Sequence, residues 1–280
     1  AIGCWDTSRV TDMGGMFHKA VAFYQNLSCW ATSRVTDMGG MFSEAVAFDQ
    51  DLSCWDTSKV ETVYDEDYGG MFKSATVFDH PIGSWDTSKV ESLEQIFQSA
   101  SAFNQSIAAW DTSKVESLKR MFLEAKAFNQ PLADWDVSKV KSMDSTFRAG
   151  CGNTEPCPDA FSQDLCAWDT SAVTTMVQMF QNNMAFNGNI SCWDTSRVQD
   201  MNQMFHHAHA FNGYLGDWDT ARVTNLWNMF KGTQDFPEHA MTFDRDISRW
   251  DTSKVVEFKG MFRNAFVFNQ PIGSWDTSAR

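Results

Sequence analysis

From Val90 to Ala100 the apolar residues Val90, Leu93, Ile96, Phe97 and Ala100 fall at i, i+3, i+6, i+7 and i+10, with polar residues between them. That spacing predicts one buried face of a short helix. Ser88, with Glu91 three residues on, reads as a capping box at its start, and Ser58/Glu61 and Ser113/Glu116 repeat the signal. The apolar spacing returns at Val10, Met13, Met16, Phe17 and Ala20 and at Val198, Met201, Met204, Phe205 and Ala208, where Met acts as a core filler. A second Phe follows six residues after the first, as at Phe23, Phe48, Phe103 and Phe128. A polar turn such as Asn129-Gln130-Pro131 then leads into Leu132–Ser138, where alternation predicts a strand with Trp135 and Val137 on one face and Asp134, Asp136 and Ser138 on the other. Val137 stands where other units carry Thr, which assigns the Trp/Thr face to the core.

The pattern is periodic. Trp5, Trp30, Trp55, Trp85, Trp110, Trp135, Trp168, Trp193, Trp218, Trp250 and Trp275 mark the units, and seven of the ten intervals are 25 residues. A fixed period of this length means a repeat protein whose units bury their apolar faces against one another. One strand and one short helix per unit predict an α/β leucine-rich-repeat-like solenoid of about ten units. Residues 1–280 then form one domain, with the parallel strands on the concave face and the eleven Trp in the core. A β-helix-like solenoid is the alternative, since Gly14-Gly15, Gly39-Gly40 and Gly69-Gly70 weaken the helices. Insertions break the period at 61–70, 148–160 and 231–242. Neither end of the pattern carries a polar cap, so the segment is expected to belong to a longer array and to associate through its ends.

Composition narrows the function. The chain is 43% hydrophobic, with a net charge of -14 and a pI near 4.7, which argues against nucleic acid or an anionic membrane surface as partner. There is no apolar run long enough for direct membrane insertion. Walker, HExxH, GxSxG and CxxC motifs are absent, so the expectation is a non-enzyme with no catalytic residues, metal site or cofactor.

The phrase Phe268-Asn269-Gln270-Pro271-Ile272-Gly273-Ser274-Trp275-Asp276-Thr277-Ser278, with the Met-Phe pair of each unit, resembles the BspA-like leucine-rich-repeat surface proteins, or DUF285 family, over essentially the whole chain. The resemblance implies an extracellular or cell-surface protein with an adhesive or protein-binding role, whose partner is another protein or a neighbouring subunit. It transfers no catalytic residue. Three sequons at Asn26, Asn104 and Asn189 are compatible with secretion.

Four groups of residues are candidates for function or cross-linking. Asp56, Asp86, Asp111, Asp136, Asp169, Asp194 and Asp219 form an outward row, with Ser or Ala two residues on and a basic residue usually three on. They are either structural, pairing with those cations or accepting turn amides, or a recognition strip; a glycan, ion or ice binder using the Asp/Ser/Thr face is the alternative function. Tyr64, Tyr68, Phe236, Glu238 and His239 in the insertions form a lateral loop ridge. Cys151 and Cys157 bracket a Pro-containing insert and are expected to pair, whereas Cys4, Cys29 and Cys54 form a row of either free thiols or one disulfide. His206, His207 and His209 are expected on a solvated helix surface.

Overall fold

The computed structural model describes residues 2–150, 161–233 and 241–278. Successive units lie on one another in register. Parallel bridges join Asp12 to Asp37, Asp37 to Thr62 and Ser92 to Ser117, and continue through Ser142, Thr175, Asp200 and Asn225 to Glu257. This pairing falls just after each Trp, where a helix start was expected.

The expected helix does not form. Among the described residues there is no α-helix; the regular elements are a 3₁₀ turn at Ile2–Cys4 and an antiparallel hairpin of β1 (Tyr64–Asp65) and β2 (Gly69–Gly70). An α-helix closes its amides on itself and keeps neighbouring helices about 8–10 Å away. Here the Phe rings of adjacent coils are only 5.6 Å apart at Phe17–Phe42 and 5.7 Å at Phe97–Phe122. At that spacing the backbone shares its amides between two destinations. Met13, Gly15, Phe17 and Lys19 donate to the carbonyls of Asp37, Gly39, Met41 and Ser43 on the next coil, while Met16, His18 and Ala20 donate three residues back to close tight turns. Alternate turns place a left-handed residue third, as at Gly15 (φ 60°) and Lys19 (φ 59°) or Gln95 (φ 54°) and Ser99 (φ 56°).

The strand expected around each Trp is also replaced by turns. Trp135 N–H donates to Leu132 O and Val140 N–H to Val137 O. Side chains make the links between coils here. The Trp110 indole N–H donates to Ile82 O at 3.0 Å, and the same bond recurs from Trp30 through Trp275. Thr87 Oγ1 donates to Asp111 O, and Thr195 to Asp219 O. At the opposite turn Asn129 N–H donates to Asn104 Oδ1 and Gln130 Nε2 to Asn104 O, and Asp79 and Asp244 accept the same pair of bonds from Asn104-Gln105 and Asn269-Gln270, so these turns form a ladder of side-chain acceptors.

The core comprises three aromatic columns. One Phe column runs from Phe17 to Phe262, a second from Phe23 to Phe268, and paired rings from the two stack 3.9 Å apart at Phe97–Phe103. The Trp column lies beside them, with Trp110 and Trp135 parallel at 6.4 Å. Trp30 through Trp250 are buried, but the two outermost Trp do not share that environment: Trp5 is 55% exposed and Trp275 half-buried, because each has a neighbouring Trp on one face only.

Replacing Trp110 by Phe keeps a ring in the column but leaves the Ile82 carbonyl without its donor. The expected loss is about 1–3 kcal/mol in urea unfolding, the penalty for a buried unpaired polar group. Trp5→Phe, at an exposed ring, is expected to change stability far less, and equal losses would remove the indole bond from the account.

Candidate functional site

The outward Asp row is built from the turn that follows each Trp. Asp56 Oδ1 accepts the Ser58 N–H at 3.0 Å and the Ser58 hydroxyl at 2.6 Å, and the backbone bond recurs at Asp86, Asp111, Asp136, Asp169, Asp194 and Asp219. Each carboxylate is thereby the cap of its own turn. The Ser hydroxyl and then the Ser amide hold Asp56, Asp86, Asp111, Asp136 and Asp194 below the usual carboxylate range, with the following cation a smaller influence. The ion pairs among the described residues, Lys19–Glu44, His80–Asp49, Lys141–Glu116 and Arg249–Asp217, use none of the seven. No group of three or more His, Cys, Asp or Glu among the described residues is arranged to hold a metal ion.

The first insertion forms a second, more individual surface. The β1–β2 hairpin folds back over the two preceding coils, capped by Asp65 Oδ1, which accepts the Asp67 and Tyr68 amides. Tyr68 lies against His18, with ring centroids 5.3 Å apart. A Cβ at Gly40 (φ 60°) would sit 2.2 Å from Tyr68 Cβ, and one at Gly15 2.7 Å from its ring, so these glycines are required as the bed of the hairpin. Tyr64 is half-buried and Tyr68 is 40% exposed. Phe236, Glu238 and His239, the rest of the expected ridge, lie outside the described residues, as do Cys151 and Cys157.

The hairpin also interrupts the stack. Elsewhere the Glu61 N–H donates to Thr36 O and the Glu116 N–H to Glu91 O, but no such bond joins Glu91 to Glu61, and no bridge joins Thr62 to Ser92. A notch of about 530 Å³ opens there, lined by Glu61, Thr62, Lys89, Glu91 and Lys114. The later insertions leave the ladder intact, as the Ser142–Thr175 and Asn225–Glu257 bridges show.

Two groups differ from expectation. Cys166, two residues before Trp168, is bonded to Cys192, one residue before Trp193, with Cα atoms 5.1 Å apart; the one-residue offset means that the pair does not occupy equivalent repeat positions. Cys29 and Cys54 are free and exposed. His206 and His209 are only 8% and 7% exposed, so the expected solvated surface is wrong for both. With the helix replaced by in-register turns, residues that a helix would spread around its axis are pressed between coils.

These coils, with their aromatic columns and, among the described residues, one broken step in the bridge ladder, define a repeat protein. The family described as "Mycoplasma protein of unknown function, DUF285" matches residues 1–66, 66–156, 153–241 and 238–280, and the chain belongs to it. No curated protein and no solved structure matches the chain.

Acid is expected to unfold the protein in two stages, followed by circular dichroism. Burial, reinforced by His207, Lys231, Arg148 and His209, lowers His206 to about 3 from its ordinary 6.5. The unfolded chain therefore takes up that proton first, and stability falls as pH drops below 6.5. Asp56, Asp86, Asp111, Asp136 and Asp194 contribute fully above about pH 4 and lose their contribution as pH falls below 3.8 toward the depressed folded values. Asp37, raised by burial and by Asp12 and Asp65, works in the opposite direction. His206→Gln is expected to shrink the upper stage to the part that half-buried His207 contributes; an unchanged profile would contradict the assignment.

Non-reducing peptide mapping is expected to recover a Cys166–Cys192 cross-linked peptide, with maleimide labelling Cys29 and Cys54 in the folded protein. Recovery of Cys166 as a labelled monomeric peptide would remove the bridge.

Proposed function

We propose that this chain is a non-enzymatic, solenoid-type repeat scaffold that binds a protein partner or neighbouring subunit at a cell surface or in an extracellular assembly. The observation that carries the reading is the division of labour among its polar groups. Polar groups that recur along the chain are engaged in stacking: Asp caps its own turn, Trp and most of the Thr donate to carbonyls, and Asn and Gln, where they occur together, bond along the column. Where the period first breaks, beside β1–β2, charged groups outside that stacking pattern line an open notch. An extended segment of a partner fits a notch that presents unpaired backbone edges with Lys89 and Lys114 beside Glu61 and Glu91. The Cys166–Cys192 disulfide supports an oxidising compartment. The glycan, ion or ice alternative finds less support, since its Thr side chains are buried, most of them bonded to a carbonyl, and its Asp carboxylates are already capped.

Excising residues 64–68 restores a 25-residue third unit. With the chain displayed on a cell surface, this variant is expected to keep its circular dichroism spectrum and lose adhesion to partner cells. Asp111→Asn with Asp136→Asn is expected to leave adhesion unchanged. The reverse pattern would favour the alternative and reject this one.

A further inference from the structure

One of the 25 repeat positions, the residue immediately after the first Phe, collects buried polar atoms that lack a partner. His18 Nδ1, Ser43 Oγ, Gln98 Oε1, Arg148 Nε, Gln181 Oε1 and His206 Nε2 all belong to it. Most of the row is explained as a seam where unlike side chains meet. The stretch from Arg148 to Lys231 is different, because it combines orphaned atoms with cations that make no ion pair among the described residues.

Gln181 and His206 are 6% and 8% exposed, and Gln181 Nε2 lies 2.9 Å from His206 Nδ1. With the amide donating, Nδ1 is the acceptor and the neutral ring carries its proton on Nε2, the atom left without a partner. Arg148 stands in the coil before Gln181 and Lys231 in the coil after His206, with successive Phe rings 5.8, 5.7 and 5.6 Å apart across these four coils. One guanidinium N–H of Arg148 is spent on Gln178 Oε1, while Nε is free. Neither Arg148 nor Lys231 makes an ion pair among the described residues. The charged groups facing the Arg148 side chain are Glu124 and Arg120, and Glu124 already accepts the Ser99 hydroxyl. Lys231 faces Arg263, and the remaining neighbours of His206 are His207 and His209. In a chain of net charge -14, a half-buried cationic cluster with three unpartnered polar atoms has the composition of an anion site.

The atoms also say which anion. His206 Nε2–H, Arg148 Nε–H and the Lys231 ammonium are donors, but Gln181 Oε1 is an acceptor and repels a fully deprotonated oxyanion. A monohydrogen phosphate group satisfies both kinds, since its P–O–H donates to Oε1 while its bare oxygens accept. We propose that Arg148, Gln181, His206 and Lys231 form a binding site for a phosphate group in its monohydrogen form, entered from the side where Arg148 and Lys231 are half-exposed.

The test is thermal unfolding of the intact chain near neutral pH with inorganic phosphate, at ionic strength held constant with potassium chloride. A saturable rise in Tm is expected with phosphate, and sulfate, which brings no proton for Gln181, is expected to bind at least about tenfold more weakly. Arg148→Gln combined with Lys231→Gln is expected to abolish the rise. Should that variant fail to fold, the wild-type imidazole NMR signals decide: phosphate shifts the His206 Nε2 resonance and leaves His18 and His80 unmoved. No saturable rise, an equal response to sulfate, the same rise in a folded double variant, or an unmoved His206 signal would each overturn the site.

Discussion

Everything in this fold follows from the requirement that each residue lie on its own counterpart one coil away. Coils about 6 Å apart at their Phe rings leave no room for helices, so the backbone closes tight local turns and gives its remaining amides to the next coil. A residue type is admissible at a repeated position only if it tolerates copies of itself above and below. Phe and Trp do so by parallel stacking, and the indole N–H adds a bond to the carbonyl of the preceding coil. Asn does so by passing an amide-to-carbonyl bond along the column. Aspartate is the hard case, because stacked carboxylates repel. It is placed on the exposed side of a turn, where it accepts the amide two residues on and, as at Asp56 and Asp136, the serine hydroxyl as well.

The same requirement explains what could be read from the sequence. The Trp period, the unit length and the inward Trp/Thr/Val face are consequences of stacking, and stacking repeats residue identities that can be seen directly. The local conformation was not legible in the same way. Val90, Leu93, Ile96, Phe97 and Ala100 mark a helix face by spacing, but linked turns three residues long also bring a side chain inward every three or four residues. The discriminating signal was present at Gly14-Gly15 and Gly39-Gly40, where glycine occupies a left-handed position shared in other coils by Gln95, Arg120 or Gln203. Because those coils use polar residues that also suit a helix surface, the signal is visible only where glycine replaces them. Likewise Ser58 and Glu61 have capping-box spacing, but the Ser58 amide and hydroxyl are bound by Asp56.

Where the period breaks, the stack's tolerance depends on where the added residues enter. The third unit receives its extra residues directly after the bridge position at Thr62, and the rung to Ser92 is lost. The hairpin compensates by packing Tyr68 over Gly15 and Gly40, which ties coils one to three together sideways. The sixth and ninth units receive theirs after the Phe, from Arg148 and Lys231 onward, and their bridges persist. An insertion ahead of the aromatic column therefore opens the ladder, whereas one behind it leaves the ladder closed.

Stacking also limits which positions are free to specialise. At the position after the first Phe the side chains His18, Ser43, Leu123, Arg148, Gln181 and His206 differ from coil to coil, so no self-pairing ladder forms there. Such a row is pressed between coils like the others but has no repeated partner to satisfy it, and buried atoms without hydrogen bonds accumulate in it. A repeated polar column stabilises itself and has nothing left to offer a ligand. A heterogeneous buried column is costly to the fold unless something from outside completes it, and in this protein Arg148, Gln181, His206 and Lys231 are the part of that column whose charge and unpaired atoms select one chemical kind of visitor.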